Sequence, residues 1–339
     1  MSGILGQEQV LTPLLNAARN GRLHNCYLFE GPQGVGKKKA AQMVARAAAC
    51  TAEDLSVRPC DTCQTCRHML KGSHPDLVEI GPDEGKRTIT IGVASAREVI
   101  RQTRMHRYAA RRRTFIFDPA DRLRPEAANA LLKTLEEPPD GTGFILVTDR
   151  ASSLLPTVLS RSQRVRFRLL TEAHLVQDLQ SRGIENAERI ARLADGRPGR
   201  AQALADGELV ALDEARSTLL EVLAGSPKDL FSFSESLTKG NKLGRIGWQP
   251  TVERYLNILE SLLRDAACSG LGKTDFLNGD KRDLVQTWSK ALFPHGIERL
   301  QAEITKTRDR MELNVNARLL VEPLFAQVAS ELGKARQSQ

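Results

Sequence analysis

The sequence predicts an α/β fold, a parallel P-loop sheet followed by all-helical chain. Three features predict it. A glycine-rich loop, GPQGVGKKK at 31–39, lies between an apolar run (CYLFE, 26–30) and a strong helical segment (KKAAQMVARAAA, 38–49). Two further apolar runs, TFIFD (114–118) and FILVT (144–148), alternate with helix-periodic stretches. From about 170 onward strand-like runs vanish. Strands alternating with helices require crossover connections, and hence a doubly wound parallel sheet.

Taken in order, residues 7–20 carry apolar side chains at helical spacing and stop at Gly21. CYLFE is a short buried strand, and the glycine loop leads into the helix 38–49. A cysteine-rich insert occupies 50–66. After LVEIG a helix is expected near 92–107, then the strand TFIFD. The segment RPEAANALLKTLEEPP (124–139) is a helix with Pro125 in its first turn and Pro138 and Pro139 stopping it. FILVT is the third strand. ADGRPGRA (194–201) splits short helical pieces, and 209–333 is mostly amphipathic helix. The boundaries expected are an α/β domain over 1–169 with the insert at 50–66, a small helical domain over 170–207 and a larger helical domain over 208–339.

Composition agrees with several domains, since 339 residues exceed one ordinary core. With aromatics at 4%, aliphatic packing should dominate. The net charge of +8 favours a polyanionic partner such as DNA, although mildly basic surfaces also occur without one. The first residues show no basic segment followed by an apolar run, so no signal peptide is expected. No stretch approaches the roughly 18 apolar residues of a membrane span. A cytoplasmic location and no membrane partner follow. There, six cysteines suggest metal or free thiols before disulfides.

The loop raises the first chemical question. Gly31, Gly34 and Gly36 would let backbone amides approach phosphate oxygens at a helix N-terminus, and Lys37 would bridge the terminal phosphates. The pattern G-x-x-x-x-G-K-[ST] fails at its last letter, where Lys38 replaces the hydroxyl that ligates Mg²⁺. A glycine turn before a basic helix is the bland alternative; strand, loop, Lys37 and helix together favour a P-loop. Asp118 ends an apolar strand, as a Walker B aspartate should. Pro119 follows it where a water-orienting carboxylate is usual, and Asp121, three residues on, is a poor geometric substitute. Both losses should slow hydrolysis, because phosphoryl transfer depends on charge neutralisation and positioning. ATP hydrolysis is therefore not expected, while Lys37 and the loop amides leave nucleotide binding open.

Cys50, Cys60, Cys63 and Cys66 fall within 17 residues, enough thiolates for one tetrahedral structural Zn²⁺ with no open position for catalysis. Redox CxxC units supply one pair, not four. His68 and His74 lie nearby but are not needed, and His74, before Pro75, reads as a turn residue. Cys26 reads as core and Cys268 as buried or idle.

RLHNCYLFEGPQGVGKKKAA, the four-cysteine insert, HPDLVEI, RRRTFIFDPADRL, EAANALLKTLEEPP and LPTVLSRSQRVRF, in this order, resemble the bacterial clamp-loader AAA+ family. The resemblance covers residues 1–205 strongly and the last third weakly, where LNVNARLLVEPLF (313–325) is similar to the closing helix of the family's oligomerising collar. It implies an AAA+ domain with a zinc module, a helical lid and a helical collar. It also implies partners: delta and gamma/tau subunits in a heteropentamer, the sliding clamp and primer-template DNA. Within such a family the degraded motifs point to its non-hydrolysing, rigid member. Leu159-Ser160-Arg161-Ser162 resembles the family's S-R-C motif, which implies that Arg161 is an arginine finger acting in trans on a neighbour's ATP. Thr148 stands where the family places sensor 1 and Arg200 resembles sensor 2; both could equally be packing residues. The run Arg101, Arg104, Arg107, Arg111, Arg112 and Arg113 is a candidate contact for DNA phosphates, with a solvated face as the alternative. A gamma/tau-like ATPase and a zinc-bearing DNA-binding protein are the rival functions.

Overall fold

The computed structural model describes residues 4–82, 90–238, 248–311 and 317–337. The three apolar runs become the interior strands of a five-stranded parallel sheet of order β2-β3-β4-β1-β5. The strands are β1 (Cys26–Glu30), β2 (Leu77–Ile80), β3 (Arg113–Phe117), β4 (Thr142–Thr148) and β5 (Gln163–Arg166). Every residue of β1, β3 and β4 is buried. Strands covered on both faces need apolar side chains throughout, which is why these three were legible. β2 and β5 are the edges. β5 (QRVR) is mostly exposed, so it lacks the apolar run that marked the others.

The pleat sorts interior side chains onto two faces. Tyr27, Phe29, Ile116, Ile145 and Val147 pack against α1 (Glu8–Arg19) and α2 (Lys37–Ala49). Leu28, Phe115, Phe117, Phe144 and Leu146 pack with Val99 of α4 (Val93–Thr103) and Leu131 of α5 (Pro125–Glu136). α2 meets the sheet through Ala40, Ala41, Ala45 and Val44, each fully buried. α3 (Gln64–Leu70) closes the cysteine insert, and α6 (Pro156–Leu159) precedes β5.

The helix expected near 92–107 ends at Thr103, and Arg113 supplies the reason. Its guanidinium donates to the carbonyls of Gln102 (2.6 Å), Met105 (3.1 Å) and His106 (2.8 Å), tying down the chain just past α4. It also donates to the fully buried Asp76. Asp76 accepts amides from Tyr108, Ala109 and Ala110 as well. Burial pushes the Asp76 carboxyl up, but Arg113 and these amides outweigh it and hold it below the usual aspartate value.

By packing, the chain divides into two compact units, Met1–Gln202 and Ala203–Gln339. The first includes the short helices α7 (Glu172–Ser181) and α8 (Ala187–Ala194), and α9 (Pro198–Ala203) runs to its boundary. The second is helical: α10 (Leu209–Ala224), α11 (Pro227–Thr238), α12 (Gln249–Gly270), α13 (Arg282–Leu292), α14 (His295–Met311) and α15 (Ala317–Gln337). Leu219, Leu256, Leu259, Leu263, Val321 and Phe325 form its fully buried centre. Of the segment 313–325, residues 313–316 lie outside the described residues; from Ala317 onward it is α15.

Candidate nucleotide cleft and four-cysteine site

The carboxyl ends of β1, β3 and β4 open onto a cleft of 1080 Å³ lined by Gly34, Gly36, Lys37, Lys38, Asp118, Pro119, Asp121, Thr148 and Asp149 among others. Open parallel sheets bind ligands at this end. The loop between β1 and α2 needs its glycines: φ is 147° at Gly31, 80° at Gly34 and 96° at Gly36. A Cβ at Gly31 would sit 2.3 Å from the Phe167 carbonyl oxygen.

Lys37 is buried at the first residue of α2. Its Nζ donates to the carbonyls of Gly31 and Pro32, both at 2.6 Å, so the ammonium closes the loop upon itself. Burial pulls its pKa below the ordinary lysine value, partly offset by Asp149, Asp118 and Asp121.

Lys38 carries the arrangement further. Its Nζ lies 3.0 Å from Glu79 of β2 and 3.7 Å from Asp118. An ammonium rests where an ATPase would hold its cation between a loop hydroxyl and a Walker B carboxylate. The hydrogen bond to Glu79 is the main reason the Lys38 pKa is raised. Burial raises the pKa of Asp118, and the two lysines lower it only in part. Burial also works upward on Glu79, where Gln42 and Lys38 outweigh it and leave a lowered value. Glu79 was invisible to sequence reasoning because β2 was not read as a strand; the signal was the short apolar alternation LVEI.

Pro119 leaves the chain in an extended conformation before a 3-10 turn at Ala120–Arg122, which brings Asp121 into the cleft. Its carboxylate accepts from the Thr148 hydroxyl at 2.8 Å, and the Arg150 amide donates to that hydroxyl at 3.0 Å. Thr148 thus stands at the end of β4, bonded to Asp121. Arg200 is not among the residues lining the cleft, whereas Pro198, Gly199, Gln202 and Arg182 are.

Arg161 follows α6 and does not line its own chain's cleft. Its Nε donates to Glu136 at 2.8 Å and one Nη to the Thr157 carbonyl at 3.2 Å. The side chain keeps about a third of its surface exposed. Ser162 turns inward, bonding the Val158 carbonyl and the Cys26 thiol. Arg164 and Arg166 both bind Glu30 of β1. Of the run 101–113, Arg113 is buried structure and not a surface for DNA, Arg101 pairs with Glu98, and Arg107 bonds the Asp140 carbonyl.

The four cysteines converge where α2 ends and α3 begins. Their sulfurs all lie within 4.8 Å of one another. Cys50 Sγ is 3.6 Å from Cys60 Sγ and 4.0 Å from Cys63 Sγ. A tetrahedral zinc with bonds near 2.3 Å needs sulfur separations of about 3.8 Å, which these distances bracket. The Cys63 and Cys66 amides donate to Cys60 and Cys63 Sγ, as thiolates held by a metal would ask. The donor set could hold one metal ion. His74 is buried, and its Nδ1 accepts from the Asp76 amide.

The family model described as "DNA polymerase III, delta subunit" matches residues 6–171. The DNA polymerase III subunit delta' of Bacillus subtilis strain 168 is 28% identical over 335 residues, 94% of each chain. The chain is similar along nearly its whole length to delta' subunits of DNA polymerase III. The chain is also 35% identical over 176 residues to the DNA polymerase III subunit tau/gamma of Haemophilus influenzae, 52% of this chain but 25% of that relative. It spans only 25 to 34% of the length of the first tau and tau/gamma relatives, whereas its match to the Bacillus subtilis delta' subunit covers 94% of both chains. The gamma subunit-related protein of Thermotoga maritima shares the fold, with a TM-score of 0.53 and 18% identity over 95% of this chain and 99% of that one.

Proposed function

We infer that this chain is the delta-prime subunit of a DNA polymerase III clamp loader. It is a stator that assembles with delta and gamma/tau subunits and does not hydrolyse ATP itself. Lys38 carries the inference. Its ammonium lies on Glu79 and Asp118, so the carboxylate that would hold a magnesium ion already faces a fixed positive charge. Lys37 is committed to its own loop, and the position after Asp118 is a proline, without side-chain oxygen or amide hydrogen. Nucleotide hydrolysis then belongs to neighbouring subunits. Arg161, outside its own cleft and about one-third exposed, is the group that reaches one of them. Its guanidinium is always charged and planar, suited to the charge on a transferring phosphoryl group.

In this reading residues 170–207 are a lid and 208–339 the collar through which the heteropentamer forms. The assembly acts on a sliding clamp and primer-template DNA in the cytoplasm; none of the described helices is long and apolar enough to cross a membrane. Cys50, Cys60, Cys63 and Cys66 hold one structural zinc ion, which supplies a crosslink and no chemistry. The test is to mix the purified chain with delta and gamma/tau subunits, weigh the product and follow ATP turnover of the chain alone. A chain that enters no complex overturns the assignment, and turnover by the isolated chain near 1 per second, within the usual enzyme range, overturns the stator role.

A further inference from the structure

At the amino ends of the strands, opposite the P-loop cleft, lies a second cavity of 350 Å³. Its lining includes Arg19, Arg58, Arg111 and Arg112 and not one aspartate or glutamate. Among the described residues none of these four arginines makes an ion pair. Three are held instead by neutral oxygens. Arg58 donates to the Ala52 and Arg19 carbonyls, Arg19 to the Arg58 carbonyl and the Asn16 side chain, and Arg112 to the Leu23 and His24 carbonyls. These three side chains are held in place by neutral acceptors, and no carboxylate enters the lining to pair with them. Arg111 is exposed, and its amide is anchored to the Ala49 carbonyl.

The backbone makes room for this concentration of charge. A Cβ at Gly143 of β4 would lie 2.1 Å from an Arg112 Nη, so the absence of a side chain there lets the guanidinium lie over the sheet. Burial lowers the pKa of Arg112, a cost that Tyr27 offsets only slightly. Gathering four guanidinium groups around one cavity with no carboxylate in its lining is unfavourable by itself and becomes favourable when an anion enters. The cavity falls in the size range of small-ligand sites, about 300–1000 Å³. Guanidinium forks match phosphate oxygens in geometry.

We propose that this four-arginine cavity is a second phosphate-binding site, separate from the P-loop, taking one or two phosphate groups. The phosphates could come from a nucleic-acid strand or from a small free anion, and both share the recognition chemistry. Arg58 and Leu55 come from the cysteine insert, so the insert supplies one wall of the site.

The experiment titrates the full chain with pyrophosphate by calorimetry at low salt, in wild type, in Lys37→Ala to disable the P-loop and in Arg111→Glu. Arg111 is exposed, so its variant folds even where Arg58→Ala does not. Pyrophosphate should bind wild type and Lys37→Ala alike and lose at least tenfold in affinity in Arg111→Glu. Competition with a 5′-phosphorylated single strand then separates the sources. Displacement of pyrophosphate assigns the site to nucleic acid, and its absence assigns it to a small anion. Binding lost in Lys37→Ala and untouched in Arg111→Glu, or no pyrophosphate binding to wild type, overturns the proposal.

Discussion

Replacing Lys38 by threonine should restore magnesium-dependent nucleotide binding without restoring hydrolysis. In the native chain the Lys38 ammonium lies 3.7 Å from Asp118. A magnesium ion on that carboxylate, at a bond length of about 2 Å, would stand roughly 4 to 5 Å from the ammonium. Two unit charges about 4 Å apart interact by about 1 kcal/mol at the dielectric of water, and the ion's double charge makes this about 2 kcal/mol. The water value is the appropriate one, because half of the Lys38 side chain is exposed. At about 1.4 kcal/mol per factor of ten, removing the repulsion is worth roughly 30-fold in affinity for magnesium-nucleotide. The assay is a titration with a fluorescent ATP analogue, with and without Mg²⁺, on wild type and Lys38→Thr. The variant should gain at least the calculated factor in Mg²⁺ and little in its absence. Pro119 is unchanged, so turnover should stay low. Equal magnesium dependence in the two proteins would refute the reasoning.

Arg161→Ala should leave the isolated chain's melting midpoint near that of wild type, since an exposed pair such as Arg161–Glu136 contributes at most about 1 kcal/mol. The same change should lower DNA-dependent ATPase of the assembled loader, and unchanged ATPase would remove the finger. Cys63→Ser should abolish stoichiometric zinc in the purified protein, measured by elemental analysis; one zinc per chain in the variant would contradict a four-thiolate site. Asp76→Asn should destabilise the chain by about 3 to 5 kcal/mol at neutral pH, because it leaves Arg113 buried without its charge partner. The Asp76 pKa is lowered on folding, so its contribution is full above the ordinary aspartate value of 3.8 and lost as pH falls below it. Urea midpoints of wild type and variant should therefore converge only on the acid side of 3.8, and a gap that persists there counts against the pairing.

The interior of the sheet was legible because β1, β3 and β4 are covered on both faces and must be apolar throughout. The edge strands were not. β5 spends its side chains on Glu30, two arginines to one carboxylate, and so reads as a polar loop. The same gap hid Glu79, without which the environment of Lys38 could not be placed. The cysteine spacing announced a metal-binding geometry that the sulfur distances match. The arginines at 101–113 show the opposite case. Their density suggests one basic face, yet Arg113 is a buried organiser of the α4–β3 connection and Arg112 lies across the sheet, roles set by Asp76 and Gly143 far away in sequence.

α2 begins at the lysines of the phosphate loop and reaches Cys50 thirteen residues later. At about 1.5 Å per residue it is a rod of roughly 20 Å, and its alanine face leaves no slack against the sheet. A displacement of Cys50 along this axis would be carried toward Lys38 at the other tip, beside Glu79. Cys50 and the lysines of the phosphate loop thus sit at opposite ends of one stiff rod.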